Sequence, residues 1–211
     1  MVAASAPAED GPAGNSRLTS TTGMLLLLML AVEGVTVLRV RQLITLHVYL
    51  GLLLLGPVLL KTGSTGFRFV RYYTGSGPYV RKGPPQPVLR LLGPLVILSS
   101  LVLLGSGVAL ITTSPGGGGG LLLTTHKVSF FVWFAVMAVH VLGHLREAAA
   151  ESLDEMRSGS GGVRGRSIRL GLVVLALVAG VATATALMPT AAPWTSRSDV
   201  RQGQGDHGPG G

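Results

Sequence analysis

The sequence predicts an all-α membrane protein of five transmembrane helices. Three observations carry that prediction. The chain is 47% apolar and only 12% charged, where a soluble domain carries about 25% charge. Its mean hydropathy is +0.54. Its apolar residues fall into five stretches separated by polar segments that hold most of the cations. Most of the 211 residues are then needed to cross the bilayer, so one membrane domain, 21–189, is expected between two polar ends.

Residues 1–20 are rich in Ala, Ser, Pro and Gly without an apolar period, and are expected to be disordered. The first span is read at 24–40, interrupted by Glu33. It is not read as a signal peptide, because the preceding segment carries Arg17 as its one cation and no A-x-A-like site follows. The second span is read at 43–60 and leads into a basic, aromatic loop over 61–90. The third is read at 91–111, and TTSPGGGGG connects it to the fourth at 121–145. REAAAESLDEM is good helix-forming sequence, so the fourth helix should continue past the membrane. SGSGG reads as a flexible linker. The fifth span is read at 168–187, stopped by Pro189, and the polar tail 190–211 is expected to be disordered.

Orientation follows from the cations. Twelve Lys and Arg fall at the N-terminus and in segments 61–90 and 146–169, against five on the other side. The positive-inside rule then places the N-terminus in the cytoplasm and the C-terminus outside. The net charge of +8 is explained by this topology, without nucleic acid. Arginine (14) outnumbers lysine (3) and Gly and Ala abound, which hints at a GC-rich bacterial source; the expected location is a bacterial cytoplasmic membrane. With no cysteine, disulfides, Cys-ligated zinc and iron–sulfur clusters are excluded.

The candidate site residues share a spacing. His47 and Lys61 stand fourteen residues apart on span two, and His126 and His140 fourteen apart on span four. Fourteen residues of α-helix make roughly four turns less 40° and rise roughly 21 Å, so each pair shares a face and spans most of the bilayer. Ionisable residues inside spans are functional candidates by default. His47 and His126 fall near the outer face at matched depth, and are the expected axial ligands of one b-type haem. The alternative is that each histidine only hydrogen-bonds a neighbouring helix. At the inner face His140 would pair with Lys61, and a second haem there depends on a lysine that ordinarily snorkels to phosphate. His144, one turn beyond His140, is an alternative inner ligand or an interfacial residue.

The segments LHVYLGLLLLGPVLLK and HKVSFFVWFAVMAVH resemble the four-helix cytochrome b subunits of bacterial respiratory complexes, whose histidines pair on two helices with thirteen intervening residues. The resemblance covers roughly residues 24–145 and implies that spans one to four form a cytochrome b-like four-helix bundle. His47, His126 and His140 match haem-ligand positions, while Lys61 stands where a dihaem protein has its fourth histidine. The chain is also similar to a group of uncharacterised actinobacterial membrane proteins with a segment like STGFRFVRYYTG.

Other features are read more plainly. Glu33 is a candidate proton-relay group or propionate neighbour, although the short span favours a pairing with Arg39 or Arg41. GFRFVRYYTGSGPYVRK interleaves aromatic and basic residues directly after a span, which fits anionic lipid better than a redox partner or nucleic acid. Gly51, Gly56, Gly105, Gly107 and Gly143 are read as ordinary membrane packing. PGGGGG lacks the Lys-Ser/Thr of a phosphate loop, and no hydrolytic constellation is present. The expected function is electron transfer by a haem-bearing carrier module with an unidentified redox partner. The alternative is a haem-free structural or accessory membrane protein. A third reading, a transporter, would predict broken helices and inverted repeats, neither of which stands out in the sequence.

Overall fold

The computed structural model describes residues 10–83, 87–113, 119–157 and 165–196. Those residues form α1 (Asp10–Leu38), α2 (Ile44–Leu53), α3 (Leu55–Tyr73), α4 (Gly77–Lys82), α5 (Pro87–Ile111), α6 (Gly119–Arg157) and α7 (Arg166–Leu187). Five segments are long and apolar enough to cross a membrane: Gly11–Leu38, Ile44–Tyr73, Leu91–Ile111, Gly119–Arg157 and Arg166–Ser196. Many large apolar side chains point outward, among them Leu98, Phe131, Leu142 and Leu175. That is the pattern of helices that face lipid.

About half of the buried residues are polar. They include Thr22, Glu33, Thr36, Ser64, Ser100, Ser106 and Glu155. Lipid tails are as apolar as leucine, so burial of leucine does not drive such helices together; close packing and interhelical hydrogen bonds do. Trp133 Nε1 donates to Ser100 Oγ at 2.9 Å and holds α6 on α5. Thr19 Oγ1 donates to Ser64 Oγ at 2.9 Å and holds α1 on α3.

α6 packs on α5 and α1, α1 also packs on α2 and α3, and α2 touches α5. These contacts close a ring of four spans, with α7 laid against α2 and α3. α2–α3 and α6 therefore lie diagonally across the ring and, as alternate spans, run parallel. The matched depths of their histidines predict spans two and four as antiparallel neighbours; the ring sets them apart and parallel. The two hairpins alone would allow either order; the contacts of α1 with α6 and of α2 with α5 set the diagonal.

α2 and α3 are one span with an irregularity at Leu54. Pro57 brings no N–H to the Leu53 carbonyl. α7 packs on this point: a Cβ on Gly180 would strike the Leu53 oxygen, and one on Gly56 would strike the Ala176 oxygen. Only glycine permits so close an approach. Ala176, Gly180 and Ala184 form the small-residue face of α7 that meets it.

Several expected boundaries move. Residues 10–20 are helical, not disordered, because the start of α1 docks on the extension of α6. Ser16 and Ser20 donate to Glu151 at 2.9 Å and 2.6 Å, and Arg17 pairs with Glu155 at 3.3 Å. The second span continues as helix to Tyr73, so the first part of the basic aromatic segment is not a loop. The fourth helix continues to Arg157, as its sequence predicts. Residues 190–196 are ordered, with Trp194 Nε1 donating to the carbonyls of Leu110 and Thr113 at 2.8 Å. The expectations for residues 1–9, most of the glycine connector, SGSGG and 197–211 lie outside the described residues.

Candidate functional site

His47 sits one turn into α2 and His126 two turns into α6, at the same end of the bundle. Although their helices lie diagonally, the ring centres are 6.3 Å apart and the planes are inclined at 68°. Two imidazoles bound through nitrogen to opposite faces of one iron hold their ring centres about 6 Å apart, given bonds of about 2 Å. The separation of the two rings is close to that value.

Both rings are anchored through Nδ1. His47 Nδ1 lies 2.6 Å from Glu33 Oε1. The other carboxylate oxygen of Glu33 accepts from Thr36 Oγ1 at 2.9 Å, and Thr36 Oγ1 is also 3.3 Å from His47 Nδ1. His126 Nδ1 lies 3.1 Å from the Leu103 carbonyl and 3.0 Å from Ser106 Oγ. Carboxylate and carbonyl oxygens only accept, so the proton belongs on Nδ1 of both rings. In the neutral imidazole that tautomer leaves the lone pair on Nε2. Nδ1 bonded to a carboxylate or carbonyl, with Nε2 left to ligate, is the usual outer-shell arrangement of metal-bound histidine. The same bonds also tie α2 to α1 and α6 to α5.

Small residues make room for this pair. A Cβ on Gly107 would stand 3.1 Å from His126 Cε1, and one on Gly51 would stand 3.9 Å from Glu33 Oε1. Glu33 was expected to pair with Arg39 or Arg41. Its carboxylate instead turns inward, one oxygen to His47 and one to Thr36.

The inner pair is arranged differently. Lys61 Nζ donates to the Thr19 carbonyl at 2.6 Å. Gly23 leaves space for it, since a Cβ there would stand 2.9 Å from Nζ. Lysine thus bonds α3 to α1. His140 stacks obliquely on His144, with ring centres 4.9 Å apart, and its buried Nδ1 has no hydrogen-bond partner in the structure. His144 faces Glu147 at 3.9 Å. Lys61 is thus bonded to Thr19, and His140 lies against His144.

At that same inner end lies a buried charge cluster that the sequence reading missed. Arg169 Nε donates to Glu155 Oε1 at 2.8 Å and Nη2 to Oε2 at 2.9 Å. Arg17 reaches Glu155 from α1, and Arg166 Nε donates to the Glu155 carbonyl at 2.8 Å. The cluster joins α1, α6 and α7.

No protein-family model, curated protein or solved structure matches this chain. Its function is argued from its own residues. Among the described residues, no group of three or more His, Asp or Glu is disposed to hold a metal ion. A zinc centre takes three or four protein ligands. Haem brings four ring nitrogens of its own and asks for only one or two. His47 and His126 together match the number of protein donors that haem takes.

Proposed function

We propose that this chain is a b-type haem protein of the membrane, with His47 and His126 as axial ligands, and that it transfers electrons to or from a protein partner. The observation that carries the reading is the 6.3 Å separation of two imidazoles delivered by helices on opposite sides of the bundle. The Nδ1 anchors support it, since they fix the tautomer that leaves Nε2 to bind iron. Haem, when bound, supplies a one-electron couple. The chain's part is to orient the two rings, to raise the donor strength of His47 through Glu33, and to shield the site with apolar helices.

In the same reading the four-span ring is a cytochrome b-like bundle. The protein lies in a bacterial cytoplasmic membrane, with its N-terminus in the cytoplasm as the cation distribution directs. The inner end holds no second haem, because Lys61 is committed to Thr19. The competing reading is a haem-free accessory membrane protein. It is favoured by the fact that the Nδ1 bonds of both histidines already join helices.

An absorption spectrum of the detergent-purified protein, with and without dithionite, separates the two. A Soret band that shifts on reduction, with sharp α and β bands, is the expected result. Its absence from protein made in haem-replete cells overturns the haem reading and leaves the accessory one.

A further inference from the structure

At the end of the bundle remote from His47 and His126 lies a groove of about 890 Å³, open along one side, where Leu59, Phe67 and Ile168 are exposed. It is walled by the start of α1, by α3 and α4, and by the start of α7. That is the upper part of the size range of ligand pockets, about 300–1,000 Å³. Leu18, Leu59, Phe67 and Ile168 give it apolar sides, and Arg71 and Tyr79 stand in its lining. Tyr79 is buried, and the Arg71 guanidinium lies 5.9 Å from the centre of its ring. Arg81 folds back over the beginning of α4, its Nη1 3.3 Å from where a Cβ on Gly77 would stand. Burial raises the Tyr79 phenol above its ordinary pKa, with Arg71 and Arg68 drawing it the other way. The hydroxyl is therefore protonated at neutral pH and able to donate.

We propose that this groove binds one anionic phospholipid of the adjoining leaflet, with the phosphate at Arg71 and an acyl chain along Leu59, Phe67 and Ile168. Three features select that occupant. Cations at the end of a membrane span attract acidic headgroups. The apolar walls continue from the headgroup position towards the hydrocarbon, which a free phosphate would leave unfilled. And α4 turns back against α3 to form a rim just beyond the end of the second span, with Phe67 packed edge-on to Tyr79 at 6.1 Å between ring centres. The proposal stands apart from the haem reading and does not depend on it.

The test is native mass spectrometry of the detergent-purified full chain titrated with phosphatidylglycerol or phosphatidylcholine. The wild type should take up one phosphatidylglycerol, and phosphatidylcholine should bind at least about fivefold more weakly. Arg71→Gln should weaken phosphatidylglycerol about fivefold, the effect of one arginine on an acidic lipid. Gly63 lines the groove, and a Cβ there meets nothing within 4 Å. Gly63→Leu should therefore grow into the space and remove the bound lipid while the helix content is kept. Arg39→Gln, at the opposite end, should change nothing. The proposal is overturned if folded Gly63→Leu keeps wild-type affinity, or if the two lipids bind alike. It is equally overturned if Arg39→Gln weakens binding as much as Arg71→Gln, or if glycerol phosphate displaces the lipid at equal concentration.

Discussion

Replacing Glu33 by glutamine isolates what the carboxylate does for His47. The side chain keeps its size and an acceptor oxygen, so the bond from Nδ1 survives as a neutral one. What is lost is the charge in a contact of 2.6 Å, inside a bundle where Glu33 is 9% exposed and Thr36 1%. A hydrogen bond to a charged group is worth about 1.5–3 kcal/mol and a neutral one about 1 kcal/mol. The difference, about 0.5–2 kcal/mol, corresponds to roughly a two- to thirtyfold loss of affinity, centred near tenfold. That centre lies at the lower end of the range of about 10–100-fold seen when outer-shell partners of metal ligands are changed. Haem titrated into haem-free protein, followed at the Soret band, should give a dissociation constant about tenfold higher for Glu33→Gln than for the wild type. The midpoint potential should rise, because a less basic imidazole stabilises the ferric state less. If Glu33→Gln binds haem as tightly and at the same potential as the wild type, while His47→Ala does not bind it, then Glu33 does not act on the ligand and the outer-shell argument fails.

Haem content by the pyridine haemochromogen assay should be one per chain in the wild type, near zero in His47→Ala and His126→Ala, and unchanged in Lys61→Ala. A wild-type ratio of two that falls to one in Lys61→Ala would show the lysine to be a ligand. At the inner end, Glu155→Ala should cost about 3–5 kcal/mol, the usual effect of removing one partner of a buried ion pair. Thermal unfolding in detergent measures it, and a loss below about 1 kcal/mol would mean that the α1–α6–α7 clamp is ornamental. Alkaline phosphatase fused after the last residue should be active, and cytoplasmic activity of a reporter at that position would reverse the inner and outer assignments.

Much of the site is legible in the sequence once the hairpins are considered. In an antiparallel pair of helices, residues equally far from the turn meet at equal depth. Glu33 and His47 stand equally far from position 40, inside the α1–α2 turn, and so do Thr19 and Lys61. Ser106 and His126 are symmetric about position 116, and Ser100 and Trp133 nearly so. Glu155 and Arg169 are symmetric about 162, in the SGSGG linker. Each of these pairs is bonded in the structure. The rule would have paired Glu33 with His47 and given Lys61 its carbonyl. Spacing along a single helix shows which residues share a face and not which helix that face meets.

What the sequence determined by itself is what local composition and chain connectivity control. The five spans follow from apolar runs of sufficient length, because an unpaired backbone cannot cross lipid and a helix pairs its own. The continuation of α6 follows from helix propensity. Tertiary structure alone decided contacts between segments that no hairpin joins. The approach of His47 to His126 depends on how four helices close into a ring. The helical start of α1 depends on Glu151 and Glu155, about 135 residues further along. Residues 10–20 have no apolar period to reveal them, since their partners are carboxylates and not lipid or core. In a bilayer the apolar pattern records exposure to lipid, and the polar contacts that choose neighbours leave no period for a single sequence to display.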